Sequence, residues 1–339
     1  MLSPSISFDE AVKTEPLNLE NIKAPIADDM KEFEKKFQAS MKSSVPLLDK
    51  ITHYIVKRKG KQMRPMFVFF SAGLFGNINE STHRGASLIE LLHTATLVHD
   101  DVVDDSYLRR GVFSINALWK NKIAVLVGDY LLSKGLLLSL ENKEYNLLQI
   151  VSRAVKEMSE GELLQIEKAR KLDIDEKVYF DIIQKKTASL IASCCSCGAA
   201  SAGCDDREIE KMRLLGENIG IAFQIKDDLF DYEKSNQSGK PVGLDIKERK
   251  LTLPIIYSLK YGDSSEKREL RKIIKNKKAT NKQLSNLLEI VNESGGIEMA
   301  KAKMNEFQNN AFEILSQFEE NVYQKSLFNL VRFTTERVK

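Results

Sequence analysis

Two clusters of acids with the same internal spacing carry the chemistry open to this chain. Asp100, Asp101 and Asp104 form the first, and Asp227, Asp228 and Asp231 form the second. On a helix, the second and third acids of each cluster are turned roughly 100° and 40° from the first, so all three carboxylates share one face. Three acids within one turn repel one another wherever water is scarce. Two such turns make sense when hard divalent cations sit between them, and carboxylate oxygens completed by water and phosphate suit Mg²⁺. Cations follow each cluster: Arg109 and Arg110 after the first, Lys240 and Lys250 after the second. One acidic turn is weak evidence, because acidic helix ends are common. A matched pair is far more specific.

The elements that must position these acids read as helices. Prolines stand at 4, 16, 25, 46, 65, 241 and 254, leaving none from Met66 through Lys240, which suits long helices. Apolar residues recur with helical period at Leu88, Leu91, Leu92, Ala95 and Val98, and again at Leu148, Val151, Ala154, Val155 and Met158. The spacing predicts helices near 83–104, 121–140, 145–170, 174–202 and 207–234, with shorter ones on either side. No repeated strand-and-turn signature is present. Residues 1–24 read as a loose N-terminal arm. Residues 235–249, with Gly239, Pro241 and Gly243, read as a loop over the second acidic turn. The expected fold class is therefore all-α: residues 25–339 as a single-domain bundle of long, mostly antiparallel helices around a central cavity.

Composition bounds the partners. The 339 residues are 42% hydrophobic and 29% charged with a net charge of +3. The basic residues read as spread rather than banked, so nucleic acid is not expected. No uncharged apolar run reaches the ~18 residues that span a bilayer, and no basic-then-apolar leader opens the sequence. A cytoplasmic location is expected. Cys194, Cys195, Cys197 and Cys204 sit among small residues in no recognisable zinc spacing. They read as free thiols lining a close helix contact.

The run Leu91-Leu92-His93-Thr94-Ala95-Thr96-Leu97-Val98-His99, leading into Asp100–Asp105 and then Arg109-Arg110-Gly111, resembles the first aspartate-rich motif of the trans-isoprenyl diphosphate synthases, the polyprenyl synthetase family. Phe223-Gln224-Ile225-Lys226-Asp227-Asp228, with Gly216 to Gly220 upstream and Gly239-Lys240-Pro241 downstream, resembles the second. Gly60-Lys61-Gln62-Met63-Arg64-Pro65 and Lys186-Thr187 resemble two further elements of that family, in matching order from about residue 30 onward. The likeness is to its long-chain, octaprenyl- and solanesyl-type members.

The resemblance implies an isoprenoid-synthase fold and a Mg²⁺-dependent prenyltransferase. Such an enzyme joins an allylic diphosphate to isopentenyl diphosphate, releases pyrophosphate and adds five carbons. It implies three Mg²⁺ per site with substrate bound, held by Asp100, Asp101, Asp104, Asp227, Asp228 and Asp231. Arg109, Lys186, Thr187 and Lys240 would grip the allylic diphosphate, with Lys250 at the loop's far end. Lys61, Arg64, His93 and Arg110 would hold isopentenyl diphosphate, and Gln224 would orient the ionising end. A homodimer is implied, with at most peripheral membrane contact for product release.

The resemblance also implies that Ala95 and Thr96, one turn before the first acids, line the tunnel for the growing tail. Neither is aromatic, so a long product is expected, such as a respiratory quinone side chain requires. A short- or medium-chain synthase, a class I terpene cyclase, a non-catalytic subunit and a plain helical scaffold remain as alternatives. Taken singly, His93 is a satisfied core histidine and Lys186 a surface lysine; only the constellation changes that.

Overall fold

The computed structural model describes residues 17–58, 60–109, 111–171, 174–232, 251–276 and 279–336. In chain order its helices are α1 (Leu19–Lys23), α2 (Ala27–Ser40), α3 (Pro46–Val56), α4 (Met63–Leu74), α5 (Glu80–Val103), α6 (Ile115–Glu141), α7 (Tyr145–Lys171) and α8 (Glu176–Ile183). After one π-helical turn, Gln184–Ala188, come α9 (Ser189–Ser201), α10 (Asp206–Phe230), α11 (Leu253–Tyr261), α12 (Ser264–Lys275), α13 (Asn281–Glu293), α14 (Gly296–Leu315) and α15 (Val322–Glu336). A two-residue hairpin, Leu108–Arg109 against Val112–Phe113, is the sole sheet among the described residues. The all-α expectation holds.

Helix α9 is the axis, with nearly every side chain buried and with α4, α5, α7 and α10 packed around it. Its small residues explain the crowding. A Cβ on Gly198 would stand 2.5 Å from Ser71 Cβ and Val68 O on α4, and one on Gly216 of α10 would stand 2.6 Å from Ala192 Cα. Cys194, Cys195 and Cys197 are buried free thiols at these contacts, and burial pushes the Cys195 thiol up to about 12. They fill space and have neither the exposure nor the lowered pKa of a reactive thiol.

Helix ends follow local chemistry. Asn79 starts α5 with a capping box, and Asp205 caps α10 by accepting from the Glu208 amide at 2.9 Å. Three features lay beyond the sequence reading. Helix α1, with Ile22 buried, falls inside the expected arm, whose residues 1–16 lie outside the described residues. Helix α6 begins at Ile115 and breaks at Lys120, φ +73°, so the expected 121–140 matches its longer part. By length and composition α6 could also cross a membrane, with a mean hydropathy of 1.7 over its most apolar stretch, only 33% of it buried. Asp129 and Lys134 interrupt that stretch, so no uncharged run revealed it.

Candidate active site

The first acidic turn ends α5. Asp100 and Asp104 are exposed, while Asp101 is buried. Asp101 Oδ1 accepts from Arg109 Nε and Nη2, both at 2.8 Å. Its backbone carbonyl accepts from Asn116 Nδ2 and from the Ser106 amide, each at 2.9 Å. Asp105, at φ +48°, turns the chain out of the helix, a conformation Asp tolerates. The hairpin then folds Arg109 back onto the acids. Although Asp100 opens to the cavity, the protein around it displaces enough water to raise its carboxyl pKa. Glu162 and Asp104 push the same way, and the Lys186 and Arg109 charges oppose them.

The second acidic turn ends α10 and is braced differently. Asp228 is buried and accepts from Tyr179 Oη at 2.8 Å and from Gln224 Nε2 at 2.9 Å. Gln224 Oε1 in turn accepts from Thr187 Oγ1 at 2.8 Å. Burial, and then the Asp228 charge, hold the Tyr179 hydroxyl pKa far above its usual value, so it stays a donor. Asp227 and Asp231 are half-buried.

The π-turn connects the two. Such turns insert an extra residue and re-aim side chains, often at functional sites. This one is held between two glycines: a Cβ on Gly161 of α7 would stand 2.7 Å from the Lys186 amide, and one on Gly220 of α10 would stand 2.5 Å from Ala188 Cα. Thr187 thereby meets α10. Lys186 turns to α7, where it ion-pairs with Glu162 and donates to Gln165 Oε1 at 3.0 Å.

A cavity of about 650 Å³ gathers Lys61, Arg64, His93, Thr96, Asp100, Asp101, Arg109, Lys186 and Thr187 on one wall or another. At one end Arg64 lies 3.8 Å from Glu90, and Lys61 Nζ lies 5.1 Å from the Phe333 ring centre on α15. Gln62, between them, has φ +52°, an uncommon conformation for a side-chain-bearing residue, and it lines the cavity too. Met158, Leu190, Ile191 and Phe223 add apolar lining.

Asp104, Gln224, Asp227, Asp228 and Asp231 are not among the lining residues. Ala95 is not either: it is 2% exposed and packed in the main core, whereas Thr96 lines the cavity. Helix geometry gives the reason. The α5 residues on the cavity, Glu90, His93, Thr94, Thr96, Leu97, Val98, Asp100 and Asp101, span an arc centred near Leu97, and Ala95 is turned roughly 160° away from Leu97. Arg110, Lys240 and Lys250 lie outside the described residues.

Among the described residues, no three His, Cys, Asp or Glu side chains converge closely enough to hold a metal alone. The donor set still suits Mg²⁺: hard carboxylate oxygens, two of them open at Asp100 and Asp104, with room for water and phosphate. Sequence reasoning missed Glu162, Gln165 and Tyr179. The first two were findable, because the α7 stripe through Val155 and Met158 continues at 162 and 165 with polar residues where apolar ones are due.

Comparison with known proteins agrees with this geometry. The polyprenyl synthetase family model matches residues 45–291. Octaprenyl diphosphate synthase of Escherichia coli is 33% identical over 322 residues, covering 95% of this chain and 99% of that one. The crystal structure of a decaprenyl diphosphate synthase from Rhodobacter capsulatus aligns with a TM-score of 0.89 at 31% identity, over 95% of this chain and 100% of that one. A geranylgeranyl pyrophosphate synthase from Bacteroides thetaiotaomicron is 37% identical with a TM-score of 0.80, covering 94% and 99%. A match of this length, on a helical scaffold that carries both acidic turns, places the chain in the polyprenyl synthetase family.

Proposed function

We propose that the chain is a trans-polyprenyl diphosphate synthase that condenses isopentenyl diphosphate with an allylic diphosphate and makes a long product. The observation that carries this is the shared cavity. A basic cluster of Lys61, Arg64 and His93 and a mixed cluster of Asp100, Arg109, Lys186 and Thr187 open into one void. Two diphosphates need two cationic ends, and a cyclase has use for only one.

The difficult step is loss of diphosphate from an allylic carbon, which requires the growing negative charge to be neutralised. Mg²⁺, when bound, supplies much of that charge. Asp100, Asp104, Asp227 and Asp231 are the residues that would hold it, while Asp101 and Asp228 orient their neighbours. Arg109, Lys186 and Lys240 donate to the same diphosphate, and Thr187 and Gln224 fix the wall beside it. Arg64 and Lys61 hold isopentenyl diphosphate with charge-assisted contacts. His93, one to two turns up α5 from Asp100, keeps the second diphosphate ~10 Å away along the helix. The departing pyrophosphate takes the proton released on condensation.

Thr96 leaves the tail's path open, and relatives with long products align over nearly the whole chain, which supports a long chain here. A homodimer is part of the proposal. Val125, Leu126, Leu136, Leu137 and Leu140 of α6 are exposed, and steps of eleven and of three or four keep them on one face. A second copy would cover that face. Its reading as a membrane span is disfavoured by Asp129 and Lys134, which stand in the same helix. Buried unpaired thiols suit a reducing cytoplasm.

Mass analysis of products from labelled isopentenyl diphosphate, farnesyl diphosphate and Mg²⁺ tests the proposal. Long linear diphosphates, lost in EDTA and restored by Mg²⁺, are expected. A cyclic product from the allylic substrate alone would overturn it in favour of the cyclase.

A further inference from the structure

A second cavity, of about 850 Å³, lies away from the acids between α8, α11 and α12. Ligand clefts run from roughly 300 to 1,000 Å³, so it is large enough to hold one. Its floor is apolar, with Leu251, Ile256 and Ile274 joined by Ile174 and Leu259. Its rim is basic, with Lys177, Lys260, Arg271 and Lys275.

The two acids at the rim are already committed. Asp175 caps α8 by accepting from the Val178 amide at 2.8 Å. Glu176 accepts from Lys260 Nζ at 2.8 Å and Tyr257 Oη at 2.9 Å, and these bonds lower its carboxyl pKa. Among the described residues Lys177 and Arg271 have no ion-pair partner. Arg271 and Lys275 sit one turn apart on α12, whose outer face adds Lys267, Arg268 and Lys272. Its acids are occupied: Glu269 lies 3.6 Å from Lys272, and Glu266 closes the Asp263 capping box. The positive charge at the rim is thus built in, against the expectation that basic residues are spread.

We propose that this cavity binds an amphiphilic anion, a hydrocarbon chain ending in phosphate or diphosphate, at a site separate from the catalytic one. A bare anion has no use for the apolar floor, and a neutral hydrocarbon has no use for the guanidinium, which suits the fork of a phosphate. The head lies against Arg271 and Lys177 and the chain against Ile256, Leu251 and Ile274. The site bears on the second acidic turn by two routes. Tyr179, one turn along α8 from Glu176, donates to Asp228. Thr252, next to Leu251, bonds Tyr232, which follows Asp231.

The test uses the full chain and dodecyl phosphate carrying a photoactivatable group, with labelled peptides mapped by mass spectrometry. Label is expected on 251–261 and 264–275, displaced by unlabelled dodecyl phosphate and poorly by pyrophosphate or dodecanol. Lys177→Glu/Arg271→Glu should weaken that labelling by about tenfold or more while leaving label at the catalytic cavity and turnover unchanged. Lys275→Glu, a second surface change, should weaken it in the same direction. Displacement by vesicles containing phosphatidylglycerol would name a lipid head as the source, and its absence a free amphiphile; either supports the site. Label confined to the catalytic cavity, or equal displacement by pyrophosphate alone, would overturn the proposal. Because labelling needs no catalysis, its failure is distinct from failure of the synthase function.

Discussion

At the first acidic turn the middle acid, Asp101, is clamped by the Arg109 guanidinium; at the second, Asp228 is held by a hydroxyl and an amide. The partner of Asp101 is charged, comes from a hairpin and is itself 37% exposed. The hydroxyl and the amide that hold Asp228 are neutral and belong to α8 and to α10 itself. In both turns the first and last acids are more exposed than the buried middle one. The same three-acid pattern is therefore prepared twice by different means. One turn relies on an ion pair at the cavity wall, the other on a part-buried polar chain from Thr187 through Gln224 to Asp228 and Tyr179.

The largest expected effect is at the outer acids. Asp100→Ala or Asp227→Ala should reduce kcat by orders of magnitude with the fold intact by circular dichroism. Retention of more than about a tenth of wild-type kcat, only ~1.4 kcal/mol of barrier, would remove those residues from the metal. Asp100→Asn should at the same time leave the metal-free melting temperature unchanged or higher. The direction follows from its raised pKa. Between the ordinary carboxylate value and the raised one, the folded state holds more proton than the unfolded state, so this group's contribution to stability falls as pH rises through that window. A marked drop in melting temperature would mean that Asp100 supports the core.

Next come the two braces. Arg109→Ala should cost more activity than stability, because it frees Asp101 and removes a diphosphate donor together. Tyr179→Phe should do the reverse, with ~1–3 kcal/mol lost on chemical denaturation because a buried carboxylate loses a bond and with a smaller fall in kcat. Equal effects would erase the distinction between the turns. At the other end of the cavity, Lys61→Ala or Arg64→Ala should raise KM for isopentenyl diphosphate by about tenfold or more. Parallel damage to the KM of the allylic substrate would break the assignment of separate ends.

The smallest effect on turnover is expected at the tail's path. Thr96→Phe should shorten the product while primer turnover survives. Ala95→Phe, packed in the core, should act mainly by overpacking, at ~1–3 kcal/mol of stability. A stable Ala95→Phe enzyme with shortened product would show that the elongating tail reaches past the cavity as it stands.

Much of this was legible from residue order. The pair of acidic turns, the downstream arginine and most helix limits followed from charge spacing and apolar period, and the Lys186-Thr187 pair from the family resemblance. What was hidden depended on tertiary contact. Residues 174–202 read as one helix, and nothing local marks the π-turn that aims Lys186; Gly161 and Gly220 let two other helices close on it. Tyr179 was missed, since its partner lies 49 positions away. Ala95 and Thr96 are neighbours in sequence and equally small, and only the packing around α5 separates core from cavity. Phe333 brings α15 to within 5.1 Å of Lys61 Nζ, a contact no pattern near residue 60 announces.

The division of labour within each turn is tested most directly by calorimetric binding of pyrophosphate with and without Mg²⁺ to Asp227→Asn and Asp228→Asn. Asp227→Asn is expected to lose the Mg²⁺-dependent part of binding at an unchanged melting temperature, and Asp228→Asn to melt earlier yet keep a Mg²⁺-dependent part. Loss of Mg²⁺ dependence in Asp228→Asn with Asp227→Asn unaffected would contradict the assignment of outer acids to the metal and the middle acid to the fold.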